Sequence, residues 1–405
     1  MPAVAQGINK RVVFAKQSAL GSPATTGGQI MRRTSAVFAE ARETYENNEI
    51  VSHQQSTGAT AGVRRTTGRL DGLLSPGTYS GLLASLLRKD QAATPAITGL
   101  SITVAGSGPT YTVTRASGDF LTGGVKIGDV VRLTAGSFDA ANLNKNLLVI
   151  GVTSTVLTVI PLNGSTLTAE GPIASATVTV RGKKTWAPAS SHTNDYYTVE
   201  EVYSDLTRFE QFKDCKIASA EVGIPATGNS TISFDVPGLS KSRSGSATIG
   251  SPSAETTSDV LTAVNGVIVV NGVITPVTGG SITISGNIAP GEAEVGSNSI
   301  SDMIRGRIAV SGTITAKFSG VTLQDIYDAQ SDVVIIFTLA TSGLADAEFM
   351  TFTMPKVRLF GDAPTDGENV EIVRTYPFTA AYNGAGGASL ASHQTILQIH
   401  DSLAA

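Results

Sequence analysis

Residues 67–89 have the sequence TGRLDGLLSPGTYSGLLASLLRK, which combines a strand-like segment, a turn and a helix. After the turn at 75–77, apolar residues recur with the spacing i, i+3, i+4, i+7 and i+8, at Tyr79, Leu82, Leu83, Leu86 and Leu87. This period predicts an amphipathic helix over 78–89 with Thr78 as its N-cap. Because nearly all of the surrounding sequence favours β-strands, the helix could cover a sheet, bind a partner or a cofactor, or lie on a membrane.

The stretch around Gly68 recurs later in the chain. TGRLDGLLS (67–75) aligns without a gap on SGTITAKFS (311–319), and TLQDIYDAQ (322–330) then gives a second helix signal with Thr322 and Asp325 as a capping-box-like pair. The residues that match are Gly68 with Gly312, Leu70 with Ile314, Leu74 with Phe318 and Ser75 with Ser319. A helix that recurs at the same place in a repeat favours an architectural cover on each sheet.

A second pair of segments matches more closely. FEQFKDCKI (209–217) aligns without a gap on FMTFTMPKV (349–357), which places Cys215 against Pro355 and Lys216 against Lys356. Each segment leads to a turn, PATG (225–228) or PTDG (364–367), and then to an alternating strand, STISFDV (230–236) or NVEIVRTY (369–376). The shared order of strand, helix, strand, turn and strand predicts an internal duplication.

The spacing of these anchors predicts an insertion in the first copy. Gly68 and Phe209 are 141 residues apart, whereas Gly312 and Phe349 are 37 apart. We therefore predict five segments: 1–93 and 190–240 form the first copy, 94–189 a small all-β inserted domain, 241–258 a linker, and 259–405 the second copy. The strands predicted in the insert are SITVA, TYTVTR, GDVVRLT, LLVIGV, TVLTVI and ATVTVRG.

Composition restricts the class of protein. The chain has 405 residues, of which 15% are charged and 6% aromatic, and 43 glycines suit many short strands joined by tight turns. A net charge of -4 argues against tight binding of nucleic acid by phosphate neutralisation. The uncharged run 260–291 contains two Asn-Gly pairs, which are typical of hairpins and not of a membrane span. MPAVAQGINKRVV (1–13) lacks the apolar run of a secretory signal, so we expect folding in a reducing compartment.

The sequence contains no pattern that predicts catalysis, a metal site or a cofactor. The four histidines lack metal-ligand spacing, and the single Cys215 excludes a thiolate cluster and an intrachain disulfide. The adjacent carboxylates Glu200 and Glu201 point to opposite faces of a predicted strand, so they cannot flank one glycosidic bond, and we expect both to be solvated. Cys215 is predicted to pack in the core. We expect no enzyme.

Two long polar segments are the candidate functional elements. They are 44–65 in the first copy and 285–306 in the second, and both lack strong signals of secondary structure. Loops of that length in a compact domain usually bind something or remain disordered, and we expect these to order against a neighbouring subunit. The candidate assembly residues are Glu46, Asn48, Ile50, Arg64 and Arg65 in the first arm and Glu294, Asn298, Met303 and Arg305 in the second.

With these segments in place, the chain resembles the tail tube proteins (major tail proteins) of long-tailed bacteriophages. The resemblance rests on the polar arm, VRRTTGRLDGLLSPGTYSGLLASLL (63–87), the FxxFxxxK strand with its Pro/Gly turn, and VSGTITAKFSGVTLQDIYDA (310–329). It implies a mainly β fold in which each copy is a β-sandwich or half-barrel with one short helix. The resemblance does not extend to the inserted domain.

The resemblance also implies a function and partners. Tube subunits form rings whose inner strands join into a β-barrel, and the stacked rings make the conduit for genome ejection. Family members with one tube domain make six-membered rings, so two copies per chain imply a ring of three chains with pseudo-sixfold symmetry. Expected partners are further copies of the chain and the tape measure, terminator and baseplate proteins. DNA passes without sequence-specific binding, no membrane or cofactor is involved, and assembly in the host cytoplasm yields a virion component.

Other interpretations remain open. The chain could be another ring component of the tail, such as a baseplate ring or a terminator. It could also be a β-rich adhesin or carbohydrate-binding protein, although Trp186 is the only tryptophan that could stack on a sugar. A β-structured polysaccharide lyase or hydrolase would need a convergent acid/base cluster, which the sequence does not show.

Overall fold

The computed structural model describes residues 4–53, 55–318, 322–368 and 371–405. Within these ranges the chain is mainly β, as predicted. The elements of residues 10–93 are β1 (Lys10–Lys16), β2 (Gln29–Ile30), β3 (Ser35–Glu46), β4 (Ala59–Leu73), α1 (Ser80–Leu87) and β5 (Ala92–Ala93). Those of residues 97–186 are β6 (Ile97–Ser107), β7 (Thr110–Arg115), β8 (Val130–Ala135), β9 (Leu147–Val152), β10 (Val156–Pro161), β11 (Glu170–Val180) and β12 (Lys183–Trp186).

The remaining elements complete two similar units. Residues 197–244 form β13 (Tyr197–Tyr203), β14 (Arg208–Cys215), β15 (Ser219–Pro225), β16 (Thr231–Asp235) and β17 (Ser240–Ser244). Residues 262–401 form β18 (Thr262–Val270), β19 (Val273–Ile274), β20 (Val277–Ser285), β21 (Ile288–Pro290), β22 (Met303–Arg305), β23 (Ala309–Lys317), α2 (Thr322–Asp328), β24 (Val333–Ala340), β25 (Phe349–Leu359), β26 (Ala363–Pro364), β27 (Val373–Ala380) and β28 (Gln398–Asp401). We call β1–β4, α1 and β13–β17 the first unit, and β18–β27 with α2 the second unit.

The strands of the two units pair in the same order. In the first unit β13 lies between β1 and β14, and β4 lies between β3 and β16; in the second, β24 lies between β18 and β25, and β23 between β20 and β27. Gly68 of β4 lies opposite Phe38 of β3, and Gly312 of β23 lies opposite Ile282 of β20. In the second unit the single strand β25 runs from one layer into the other. In the first unit the corresponding path is divided into two strands, β14 and β15.

One sheet passes through both units. Among the described residues it is a 15-stranded sheet whose path includes β3-β4-β16-β15-β20-β23-β27, and the antiparallel pair β15·β20 joins the units. Beyond β27 the path continues through β25, β24, β18 and β19. Side chains alternate along each strand: residues such as Leu70, Ile232, Val222 and Ile282 are fully buried against the second layer, while their neighbours face away. This period of two is what a half-buried strand requires.

The two helices differ in burial. In α1 the residues Leu82, Leu83, Leu86 and Leu87 are buried, whereas no residue of α2 is buried. The α1 side chains pack into the shared core, which confirms the predicted stripe of leucines. The predicted N-cap is wrong, because the helix begins at Ser80 and the Thr78 hydroxyl contacts Ser75 and Thr256 instead.

The carboxylate of Asp401, from the C-terminal strand, binds the N-terminal end of α1. It accepts hydrogen bonds from the backbone N–H of Gly77, at 2.9 Å, and from the hydroxyl of Ser80. A carboxylate at a helix N-terminus satisfies free N–H groups and interacts favourably with the helix dipole.

Strands β6–β11 form a closed six-stranded barrel with its own core, and all six strands predicted for the insert are present. The barrel packs on the second unit, although its residues lie in sequence between α1 and β13 of the first unit. Leu148 and Ile160 of the barrel contact Ile336 and Phe349 on the face of β24 and β25 that points away from the shared core. The insert is therefore docked through an apolar interface.

Buried polar groups reinforce this interface. Lys126 Nζ donates to the carbonyls of Gly387 and Ala388, at 2.9 and 2.6 Å, and burial lowers its pKa to about 8. Lys184 Nζ lies 2.6 Å from Asp129 Oδ2, with both side chains almost fully buried. Removing one partner of such a pair would leave an uncompensated buried charge.

Two further predictions need correction. The predicted linker 241–258 begins inside β17, which pairs with β14, so the chain is still in strand at Ser244. Glu200 and Glu201 are not solvated but buried: Glu200 accepts hydrogen bonds from Thr248, and Glu201 lies 2.6 Å from Lys10. The predicted match at Ser319 and the start of the strand predicted at 369–376 lie outside the described residues.

Candidate functional site

The solvent face of the sheet that runs through both units is polar and rich in hydroxyl groups. Its members alternate with the buried core residues and are only partly buried or exposed. They are Thr67, Arg69 and Asp71 of β4, Thr231, Ser233 and Asp235 of β16, Ser219 and Glu221 of β15, Ser281, Thr283 and Ser285 of β20, Ser311, Thr313, Thr315 and Lys317 of β23, and Thr375 and Thr379 of β27. We call this set the polar face.

Contacts across the strands order the polar face. The hydroxyls of Ser281 and Thr313 lie 3.0 Å apart, and those of Thr315 and Thr375 also lie 3.0 Å apart. Arg69 Nη1 donates to Asp235, the residue opposite it on β16, at 3.4 Å, and Arg69 Nε donates to Asp71 on the same strand at 2.9 Å. Cross-strand Ser/Thr and opposite-charge pairs stabilise a sheet modestly and leave its surface smooth and hydrophilic.

The charge of the polar face is close to zero and slightly acidic. It contains the cations Arg69 and Lys317 and the anions Asp71, Glu221 and Asp235. The cations are paired, since Arg69 contacts both aspartates and Lys317 Nζ lies 2.8 Å from a carboxylate oxygen of Glu371. A polyanion in front of this face would therefore meet few free positive charges.

Two strands of this sheet, β3 and β26, keep an unpaired edge among the described strands. Within the described part of the chain β3 pairs only with β4, and β26 only with β27. Exposed apolar side chains lie at these edges, Val37 on β3 at 63% and Phe360 before β26 at 59%. A long open edge with apolar side chains is a template for pairing with another strand.

The first arm is a projecting hairpin. β3 and β4 stay paired out to Glu46 and Ala59, so the segment predicted to lack regular structure is half strand. Asn48 and Ile50 lie in the exposed tip, and Ile50 is completely exposed at 103%. Glu46 is exposed as well. The tip thus presents a free isoleucine among polar groups.

Arg64 and Arg65 lie at the base of this hairpin. Arg65 donates to Glu43 at 2.8 Å, within the hairpin. The backbone N–H of Arg64 donates to the carbonyl of Asn298 at 3.0 Å, which connects the base of the first arm to the second arm. The structure thus brings Arg64 and Asn298 together, although they are far apart in sequence.

The second arm folds back on the first unit of the same chain. β21 and β22 pair, and Met303 is buried together with Val63, Leu239 and Ile300. The Met303 carbonyl accepts a hydrogen bond from Lys216 at 2.9 Å. Arg305 also donates within the chain, to the Thr193 carbonyl at 2.5 Å.

Only the tip of the second arm is free. Glu294 and Asn298 are exposed, and Val295 between them is exposed at 108%. The two arm tips therefore each carry one fully exposed aliphatic side chain. Whether the predicted assembly residues contact other subunits stays a prediction.

Sequence reasoning missed a charged group at each open edge. Glu40 of β3 lies beside Arg64, with 3.9 Å between carboxylate and guanidinium, and Asp362 before β26 is paired with Arg374. No motif marks them, because each residue becomes notable only once the strand order identifies β3 and β26 as strands with an unpaired edge.

Features of other functional classes are weak. Cys215 is buried in the core, and burial together with nearby Asp214 raises the pKa of its thiol. Among the described residues no group of three or more His, Cys, Asp or Glu side chains could hold a metal ion. No described helix is long and apolar enough to cross a membrane.

A cleft of about 820 Å³ lies between the barrel and the segments that flank it, and Trp186 is in its wall. The indole stacks on His393 at 3.9 Å between ring centroids, and Lys89 Nζ lies 4.3 Å from its centroid. The side chains that cover the ring leave little of it for a ligand to stack on.

Comparison with protein-family models gives one match that covers most of the chain. The family model for phage tail tube proteins matches residues 7–380, nearly the whole chain. No curated protein matches the chain significantly. The chain therefore belongs to the phage tail tube protein family.

Proposed function

We propose that this protein polymerises as stacked rings into the tail tube, which conducts the genome into the host. Membership of the tail tube family supports a structural role in the virion. The observation that carries the ring proposal is the sheet that runs through both units, in which β3 and β26 each keep an unpaired edge among the described strands. Identical chains can extend such a sheet edge to edge until it closes into a barrel, which removes all edges.

We further propose that the chain is a tandem duplication and that three chains form one ring. The repeated pairing order supports this, because the joint β15·β20 already links two similar units edge to edge. Three chains would contribute six similar units around the axis, with cyclic symmetry that closes the ring. The domain limits 1–93 with 190–240, 94–189 and 259–405 belong to this proposal, and the first copy extends through β17 to Ser244.

In this assembly the polar face lines the lumen. Its hydroxyl groups and paired charges provide a hydrated wall that does not neutralise phosphates, so DNA can slide past without being bound. The apolar face is already covered by the second layer and the helices. The barrel β6–β11 lies on the far side of that second layer and would decorate the exterior of the tube.

The arm tips are proposed to contact the adjacent ring. Ile50 and Val295 are exposed aliphatic residues on projecting segments, and burial against the next ring would remove both from water. The candidate residues Glu46, Asn48, Arg64, Arg65, Glu294, Asn298, Met303 and Arg305 belong to these arms. Tape measure, terminator and baseplate proteins are the further proposed partners, and assembly in the host cytoplasm is the proposed route.

Electron microscopy of the concentrated protein, with averaging of end views, tests this function. Hollow stacked rings with three chains and six inner lobes are expected. Six chains per ring would keep the tube but contradict the role of the second unit in the ring. Chains that never form rings or tubes, even with an initiating tail complex, would contradict the function.

Another tail ring, such as a terminator or baseplate component, is the second candidate. It would use the same open edges, and it differs in copy number, because a terminator forms one ring per particle while a tube contains many. An adhesin is disfavoured because Trp186 is covered by His393 and Lys89. A glycan array with the purified chain would test it directly.

A further inference from the structure

We infer that neighbouring chains join by antiparallel pairing of β3 in one chain with residues 361–365 of the next, in the register of the internal joint β15·β20, and that four charged side chains, Glu40, Arg64, Asp362 and Arg374, meet at this junction. The inference rests on the proposed ring and specifies the contact that closes it. The correspondence between the two units supports it.

Strand β3 of the first unit corresponds to β20 of the second. Gly68 and Gly312 are matched in sequence, and they lie opposite Phe38 and Ile282 in their respective sheets. Position by position, β3 therefore corresponds to β20. Ala39 takes the place of Thr283, since each follows the residue opposite the glycine.

Strand β15 of the first unit corresponds to the segment around β26 of the second. Phe234 and Tyr376 correspond, because they lie opposite Leu70 and Ile314. The residue opposite Ser233 is Glu221, and the residue opposite Thr375 is Ala363. That pairing assigns Ala363 to the place of Glu221.

The register between chains follows from these two correspondences. Glu221 lies directly opposite Thr283 in the internal joint. Ala363 of one chain is therefore placed opposite Ala39 of the next. Gly361 then lies opposite Ala41, and Thr365 opposite Val37.

The junction between chains differs chemically from the joint within the chain. At the internal joint Ala220 lies opposite Ile284, and both are completely buried and apolar. The corresponding residues at the open edges are Asp362 and Glu40. Each is already beside an arginine of its own chain, Asp362 beside Arg374 and Glu40 beside Arg64.

Both edges hold buried polar atoms that lack a hydrogen-bond partner among the described residues. On the β3 edge these are Glu40 Oε1 and Arg64 Nε, and on the other edge they are Asp362 Oδ1 and Arg374 Nε. The two sets are complementary, because each edge offers one carboxylate oxygen and one guanidinium N–H. Because these atoms are buried in the isolated chain, the four side chains would rotate on assembly, and pairing of Glu40 with Arg374 and of Asp362 with Arg64 would then satisfy all four atoms by charge-assisted bonds.

The burial of the helices supports the same junction. α1 lies beside the internal joint and is mostly buried, whereas no residue of α2 is buried. Beside α2, Phe318 is 40% exposed, and Arg374 lies over its ring at 4.3 Å. A neighbouring chain at the 361–365 edge would cover this region as the second unit covers α1.

Engineered cysteine pairs test the register. In A39C/A363C the two Cα atoms would lie about 4.5–5.5 Å apart across the junction, within the range that a disulfide spans. Oxidation of assembled protein should give covalent trimers on a non-reducing gel, and mixed A39C and A363C single variants should give dimers only. The native Cys215 is 1% exposed and should not interfere.

Two control pairs calibrate this result. E221C/T283C joins positions that are opposite within the chain and should form an intrachain disulfide even in isolated subunits. S35C/A363C moves one thiol four residues along β3, about 13 Å away, and should not cross-link. Rings that cross-link through S35C/A363C but not through A39C/A363C would overturn the register and leave the tube function standing.

Hydrogen exchange on the unmodified protein gives an independent reading. Peptides that contain 37–41 and 361–365 should exchange more slowly in tubes than in subunits, because the amide groups that point away from β4 and β27 become paired, whereas β15 and β20 should be equally protected in both. Rings whose 37–41 peptide exchanges as fast as in subunits would overturn the junction. Absence of rings altogether would instead overturn the proposed function.

Discussion

Lys216 and Lys356 occupy the same position in the two units, yet the side chain of Lys216 is 3% exposed and that of Lys356 is 41% exposed. Lys216 Nζ donates to the Met303 carbonyl and lies 3.4 Å from Asp302, both in the second arm. Lys356 is paired with Asp332 at the surface of the subunit. The difference follows from position, because the first unit has the second beside it, whereas the second unit ends at the 361–365 edge.

We expect assembly to bury Lys356 as the second unit buries Lys216. An amine-reactive acetylating reagent should modify Lys356 readily in isolated subunits and much more slowly in tubes, while Lys216 stays unmodified in both. Mass spectrometry of the digested protein measures each site, with Lys145 on the external barrel as the reference that reacts in both states. Equal labelling of Lys356 in tubes and subunits would contradict the expectation.

Local sequence patterns predicted the elements that local physics determines. The leucine stripe of α1 and the six barrel strands depend on residues close in sequence. Gly68 and Gly312 are also conspicuous in the sequence. A glycine is required at both positions, because an added Cβ would lie 2.2 Å from the Phe38 ring at Gly68 and 2.0 Å from the Ser281 carbonyl at Gly312. A position that has no room for a Cβ requires glycine, and this requirement can be read from the sequence.

The unpredicted features depend on contacts between distant residues. Glu200 is buried because Thr248, from the segment predicted as linker, donates to it. The second arm looked free in sequence, but Met303 packs under the first unit. The open edges could not be named before the strand order was known, so Glu40 and Asp362 were not among the candidates.

Shortening the first arm should separate ring formation from stacking. Replacement of 47–58 by Asn-Gly joins Glu46 to Ala59, which are already paired, through a favoured two-residue hairpin turn. The removed segment is almost entirely exposed, so the free energy of unfolding should change by less than about 1 kcal/mol. Rings should form, but electron microscopy should show few stacked tubes.

A point variant provides the matched control for the arm. Ile50→Asp alters one fully exposed side chain and should weaken stacking without affecting the melting temperature. Ile300→Asp, in the buried part of the second arm, should instead destabilise the subunit. Tubes of normal length from the shortened variant would show that the first arm does not connect rings.

The barrel should be necessary for a stable second unit, even though it is proposed to lie outside the tube. Its removal would expose Phe349, Ile336 and Val269, which form one apolar surface with the barrel. Phe349→Ala should lower the free energy of unfolding by about 3–5 kcal/mol because it leaves a cavity in this interface. Denaturant unfolding measures the loss, and the 40% exposed Phe318→Ala should cost much less.

Acid should destabilise the interface between the barrel and the second unit through His400. This ring is fully buried, its Nδ1 accepts from the Val130 N–H at 3.3 Å, and its Nε2 is bonded to the Arg181 carbonyl. The neutral tautomer with a proton on Nε2 satisfies both contacts, whereas the imidazolium would oppose its second N–H to that of Val130. Burial therefore lowers the pKa of His400 to about 4.

The direction of the pH effect follows from the histidine pKa of about 6.5 in the unfolded chain. A group whose pKa is lower in the folded state binds more protons when unfolded, so acid favours the unfolded state. Stability should be complete above pH 6.5 and should fall as pH decreases towards 4, by about 3 kcal/mol in total from this residue. His393, whose pKa is lowered by burial to about 3, acts in the same direction. His400→Gln should flatten the fall of melting temperature between pH 7 and 4, and His53→Gln in the exposed arm should not. An unchanged slope in His400→Gln would mean that another group controls the acid response.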